Sequence, residues 1–218
     1  MGYQFDWSVV LQPRLWLLGL SVTIIYAVAT TLLGLLIGVA CGILSLSRSR
    51  LITIPVHVYV QFFRCTPLLV QIIWFYYALP MISGASIPAW MAAGLGLTLY
   101  MGSFSAEIFR GGVISIDRGQ WQAARAIGMS HAQMMGNVIL PQAVRRMVPP
   151  VVNQAVMQLK NTSLLYVIAV PDLMYTGADL ASATYRPLEV YTTVAVIYFL
   201  LLYPLTQFAL RLESRADR

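Results

Sequence analysis

Two stretches of this chain carry no charged residue, one from Leu15 to Ser47 and one from Cys65 to Ala106. Either is too long for a buried element of a soluble domain. At about 1.5 Å per helical residue, even the first exceeds the ~30 Å hydrocarbon core of a bilayer. A third apolar run, Val190 to Leu210, ends in Arg211, Arg215 and Arg218. With 10% charged residues and a mean hydropathy of +0.73, the chain lacks the roughly quarter to third of charged side chains that a soluble surface needs. The expected class is an all-α polytopic membrane protein. The net charge of +6 does not point to nucleic acid, because the basic residues sit in short clusters beside apolar runs, where they set orientation in a membrane.

Punctuation divides these runs. The turn-rich stretch Leu79–Pro88 splits the second one, and five transmembrane helices are expected over about 15–46, 61–79, 89–109, 148–170 and 190–210, in a single domain spanning 1–218. A polar loop covers 110–147. Nearly all arginines, from Arg48 and Arg50 through Arg145 and Arg146 to the C-terminal three, fall on one side; Arg14 and Arg186 fall on the other. The positive-inside rule then puts the N-terminus outside and the C-terminus in the cytoplasm. Gly34, Gly38 and Gly42 recur every fourth residue and give the first span a smooth strip for close helix packing. An internal contact is expected there, with a seam to a second copy as the alternative. Trp7 and Trp16 suit a membrane interface, as does the aromatic run Trp74–Tyr77. His57, with no second ligand near it, belongs to an interfacial elbow helix. Cys41 and Cys65 read as two buried free thiols, and the N-terminus lacks the basic start of a cleavable signal peptide.

The loop is the most informative stretch. Between Glu107 and Pro141 it has a helical centre, Gln120 to His131, interrupted by Gly128. Its residues Gln122-Ala123-Ala124, Gly128 and Val138-Ile139-Leu140-Pro141 keep a defined spacing: three residues to the glycine, nine more to Val138, one more to Leu140-Pro141. This resembles the EAA loop of type I ABC-importer permeases, with Gln122 for the usual Glu and Val138 for the usual Ile. Ala106–Gly112, Gly119-Gln120, Gln142-Ala143 and Lys160–Leu164 extend the likeness, from about Leu15 to the C-terminus, to the permeases of polar amino acid uptake. The resemblance implies that Gln122, Ala123, Ala124, Gly128, Met129 and Pro141 form a coupling helix that rests on a separate ATPase. It also implies two copies of that ATP-binding subunit, a second permease (identical or homologous), an extracytoplasmic substrate-binding protein and an amino acid substrate, all at a bacterial inner membrane. Gln122 keeps a hydrogen bond to a basic partner but loses its charge-assisted part.

The remaining chemistry is sparse. No phosphate-binding loop exists and Lys160 is the only lysine, so ATP and magnesium are expected on the partner ATPase, with no cofactor in this chain. Nothing resembles a catalytic set or a clustered metal site. The fourth span is broken by Gln158, Lys160, Asn161, Thr162 and Ser163, and polar groups at that depth face protein or a watered path. Lys160 is a candidate counter-charge for a substrate carboxylate, with a snorkelling or carbonyl-bound side chain as the other reading. Gln71, Tyr100 and Ser103 are candidates for the same path, or for helix–helix hydrogen bonds. Glu107 and Arg110, at i and i+3, read as a local ion pair or as part of an inner gate or loop anchor. An ion-coupled secondary transporter is the competing class; it would show intramembrane acids, broken helices or internal repeats. Apart from Glu107 near one end the spans lack acids, and no repeat is visible.

Overall fold

A computed structural model describes residues 3–216, with side chains through Ser214, and these residues are helical throughout, with no strand among them. The first long helix, α1 (Pro13–Ser45), starts on a proline whose missing N–H costs nothing in a first turn. It buries one stripe, Thr23, Ala27, Thr30, Gly34, Gly38 and Gly42, and leaves Leu17, Leu18, Ile25, Leu32 and Leu36 exposed. The stripe lies on the central helix α5 (Ala89–Ile114). Gly34 meets Met101, Gly38 meets Ser105 and Gly42 meets Phe109, so both helices advance by four residues per contact. A Cβ on Gly34 would stand 2.5 Å from Met101 Cγ, and one on Gly42 2.6 Å from Phe109 Cδ1. The glycine strip is therefore an internal seam.

Two further helices lock this pair. From α8 (Leu140–Asn161), Gln158 is fully buried and its Nε2 donates to Thr30 Oγ1 and to the Leu97 carbonyl, each at 2.9 Å. One amide thus ties α8 to α1 and α5. The short α9 (Leu173–Thr184) packs on α1, with Asp172 accepting the Tyr175 N–H at 2.8 Å as its N-cap. After Tyr185, at φ 54°, α10 (Pro187–Ala216) runs to the end of the described chain.

The first three spans do not all keep the bounds expected from sequence. Residues 61–79 are not one rod: α2 (Arg50–Cys65) ends at Thr66–Pro67, and the helix from Leu68 to Ser83 leaves at 106° to it. Pro67 forces Thr66 into an extended conformation, φ −99° and ψ 139°. The corner is sealed by Gln71, whose Nε2 reaches the carbonyls of Phe63 (2.9 Å) and Thr66 (3.0 Å) and the Thr66 hydroxyl (2.7 Å). The stretch read as a turn from Leu79 is still helix: α3 (Leu68–Ile73) passes through a π-turn, Trp74–Ala78, into α4 (Leu79–Ser83) and stops at Gly84, φ 69°. Pro80 has no N–H to continue an α-helix, and the wider turn before it carries the chain past.

The same Leu-Pro device recurs at Leu140-Pro141. There α7 (His131–Met134) runs through a π-turn, Met135–Ile139, into α8. The helix of 148–170 therefore begins before its expected start, and it ends in a 3-10 helix, Thr162–Ile168. The connection expected over Pro171–Glu189 contains α9, a helix of small residues that composition alone did not mark. By length and apolarity, Pro13–Ser45 and Pro187–Ser214 can each cross a membrane alone, and the bent pairs Arg50–Cys65 with Leu68–Ser83 and His131–Ile168 with Leu173–Thr184 can do so as broken spans. Trp16 is no interface anchor: it is buried with Leu173 and Val190, and its Nε1 donates to the Val10 carbonyl at 2.8 Å. Of the two thiols, Cys41 is half-buried and Cys65, last residue of α2 at the open corner, is exposed.

Candidate coupling segment and substrate path

The end of α5 and the residues after it share a small core. Val113, Ile116, Ala124, Met134, Ile139, Ala143 and Met147 are buried together, with Trp121 and Met129 packed on them. On this base stands α6 (Arg118–Ala126), where the Asp117 carboxylate accepts the Gly119 N–H at 2.6 Å as N-cap. The helix ends because Gly128 turns to φ 78°, a left-handed conformation that penalises side chains with a Cβ. Its turn is closed by the Met129 N–H on the Ala124 carbonyl, 3.1 Å. Ser130 and Gln133 then cap α7 reciprocally, at 2.9 and 3.4 Å. Gln122, Ala123 and Gly128 are exposed, Ala124 is turned into the core, Met129 is half-buried and Pro141 lies exposed in the first turn of α8. The adjacent alanines thus do different work: one packs, the other leaves a smooth outer face. At the tip, Ile127 is 74% exposed, an apolar contact that the spacing pattern does not include.

Glu107 and Arg110 form the i, i+3 pair expected, with Arg110 Nε 3.1 Å from Glu107 Oε1 and its Nη2 bonded to the same oxygen. The sequence reading missed the third member. Arg64 of α2 brings Nη1 to 4.0 Å from Glu107 Oε2 and lays its guanidinium over the Phe104 ring, 5.4 Å from the centroid. The cluster thereby joins α2 to α5. Because these groups are about a third exposed, Glu107→Gln is expected to lower stability by less than about 1 kcal/mol, checked by thermal unfolding in detergent at low and high salt.

The path candidates separate into three places. Gln158 is spent on the helix seam, and Ser103, fully buried, donates to the Tyr100 carbonyl at 2.7 Å. Tyr100 packs on Phe104. Gln71 seals the corner; its Oε1 has no partner, and it lines a cavity of about 310 Å³ with Phe62, Trp74 and Phe75. Lys160 is exposed and, with Ser163, lines a separate cavity of about 320 Å³ walled by Met174, Tyr191, Val194 and Tyr198. Thr162 is buried on the Leu159 carbonyl (2.8 Å), and Ser163 donates to the Lys160 carbonyl at 2.8 Å. Asn161 keeps an unpartnered Nδ2, and the Tyr198 hydroxyl is likewise buried without a partner. Tyr191 and Tyr198 come from α10, too far along the chain for spacing to have grouped them with Lys160.

A central helix seamed by glycines, a capped two-helix segment and a Leu-Pro π-turn belong to an all-helical chain with whole and broken candidate membrane spans. The chain belongs to the family described as binding-protein-dependent transport system inner membrane component, whose pattern matches residues 31–218. It is 36% identical over 215 residues to the glutamine transport system permease protein GlnP of Escherichia coli (strain K12), covering 97% of this chain and 98% of that one. It is 33% identical over 206 residues to the histidine/lysine/arginine/ornithine transport system permease protein HisM of Salmonella typhimurium, covering 90% and 88%. The fold superposes with a TM-score of 0.92 on a chain of a crystal structure of an amino acid ABC transporter with histidines, at 32% identity, over 98% of this chain and all of that one.

Proposed function

We propose that this chain is the permease subunit of an ATP-driven importer of polar amino acids, with five spans, the N-terminus outside and the C-terminus in the cytoplasm. The observation that carries the coupling role is the segment after α5. Gln122, Ala123 and Ile127 lie exposed on a short capped helix that rests on a buried core, so force applied to that face is passed into α5 and α8 rather than absorbed by a loose loop. The names of the relatives support the amino acid class. Two ATPase subunits would hold ATP and magnesium and grip this face, a second permease would complete the path, and a binding protein would deliver substrate from outside. In this reading Gln122 offers an amide hydrogen bond to the ATPase, Ala123 leaves room for close approach, and Gly128 sets the turn.

Within the path we assign Lys160 to the substrate carboxylate, the one group all amino acids share. The cavity beside it supports this, since Tyr191 and Tyr198 add aromatic walls and Ser163 a hydroxyl. Lys160→Ala is expected to cut uptake about tenfold or more, as loss of a charge-assisted contact of some 1.5–3 kcal/mol would, while the ATPase still co-purifies. Unchanged uptake would return Lys160 to a structural role. The founding experiment is gentle purification of the tagged chain: an ATPase with a phosphate-binding loop should accompany it and be lost when Ala123, Ala124 and Gly128 are disrupted. A chain that purifies alone would sink the importer reading.

A further inference from the structure

A cavity beside the coupling segment shares one lining residue, Gln122, with the function just assigned and is otherwise unused by it. It measures about 760 Å³ and lies between the end of α1, the end of α5 and α6. Its walls are apolar, among them Leu46, Phe109 and Trp121, while Arg118, Arg125 and His131 stand in its lining. No carboxylate lines it. The single acid between Ile108 and Pro171 is Asp117, and its carboxylate is used on the Gly119 N–H. Three arginines of this side are occupied: Arg64 and Arg110 on Glu107, Arg146 on the Ser115 carbonyl. Arg118 and Arg125, by contrast, are exposed and form no ion pair among the described residues.

The groove is also continuous with the bare face of α1. Ile43, 56% exposed, belongs both to its lining and to the outward stripe that contains Leu32, Leu36 and Val39. An occupant must therefore present an apolar part toward the membrane side and an anionic part toward two free guanidinium groups. We infer that the groove binds an anionic phospholipid of the cytoplasmic leaflet, with an acyl chain against Ile43, Leu46 and Phe109 and its phosphate between Arg118 and Arg125. Basic pockets at the cytoplasmic ends of membrane helices hold such headgroups. The choice of leaflet rests on the topology proposed above; the binding chemistry does not. A lipid there would brace the coupling segment against α1, which it otherwise meets across an open space.

The test is native mass spectrometry of the purified full chain titrated with phosphatidylglycerol, phosphatidylethanolamine or phosphatidylcholine, with no transport readout involved. One phosphatidylglycerol should be retained per chain, at least about tenfold more firmly than either zwitterionic lipid. Removing both charges, Arg118→Gln with Arg125→Gln, should weaken it roughly thirtyfold. The charge-keeping pair Arg118→Lys with Arg125→Lys should retain it, and Arg211→Gln, on the far helix, should leave it unchanged. Equal retention of phosphatidylcholine, or equal loss in the Arg211 variant, would overturn the site. So would displacement by glycerol 3-phosphate, which would mark a phosphate site needing no acyl chain. Loss of lipid on adding a co-purifying ATPase would assign the groove to that protein instead. Since lipid retention and ATPase association are read separately, failure of one leaves the other standing.

Discussion

Gly38→Leu is expected to give the largest loss of stability of any single change in the α1–α5 seam. A side chain there meets not only Ser105 but the backbone itself, with the Ser105 carbonyl carbon at 2.9 Å and the Ala106 nitrogen at 3.0 Å from a Cβ. Backbone cannot swing aside as a side-chain tip can, so the helices must part. Parting them also strains the Gln158 bonds to Thr30 and Leu97, which rely on both helices being in place. Overpacking of this kind costs about 1–3 kcal/mol, which would lower the unfolding midpoint in detergent by roughly 2–12 °C. Gly94 on the same central helix has nothing within 4 Å, so Gly94→Leu should leave the midpoint in place. Equal losses at the two positions would show that the close approach at the seam does not govern the result, since helix propensity favours leucine over glycine at both.

The second large effect is on transport. At Gly128 nothing lies within 4 Å of the place a Cβ would take, so a substitution there acts through backbone conformation alone. Holding valine at a φ of 78° costs about 1–2 kcal/mol, a factor of roughly 5–30 in the population of the native turn. Gly128→Val is therefore expected to reduce uptake by about that factor while insertion is unchanged and the unfolding midpoint falls by no more than about 2–8 °C. Asparagine tolerates the left-handed region, and Gly128→Asn should recover most of the activity. Full uptake in the valine variant would remove this turn from the coupling pathway.

Much of this architecture was legible because lipid imposes simple demands. Uncharged runs and the glycine spacing on α1 each follow from one physical rule, and each could be read without partners in view. The loop was legible for another reason: a glycine that interrupts a helix and a Leu-Pro step are local, and Gly128 and Pro141 carry their geometry in their own chemistry. What escaped was non-local. Nothing near Gln158 in sequence says that its amide will reach Thr30, 128 residues away, so it read as a path residue. Trp16 looked like an interface anchor because the helices that bury it, α9 and α10, come at the other end of the chain. The corner at Pro67 was signalled by the proline itself, but an uninterrupted apolar run outweighed it.

That corner has a mechanical consequence. If the rod from Leu68 to Ser83 stands across the membrane, α2, at 106° to it, must lie nearly flat, as an outrigger on the water boundary. It is not free to drift: Tyr59 holds the Leu99 carbonyl at 2.8 Å and Arg64 holds Glu107. The depth at which α2 floats is thus geared to the depth of the central helix. α1, 33 residues long and so about 50 Å, meets a thinner bilayer by tilting, but α2 can only rise or sink. In that placement bilayer thickness would load the Thr66–Pro67 joint, and the Tyr59 and Arg64 contacts would pass the load to α5.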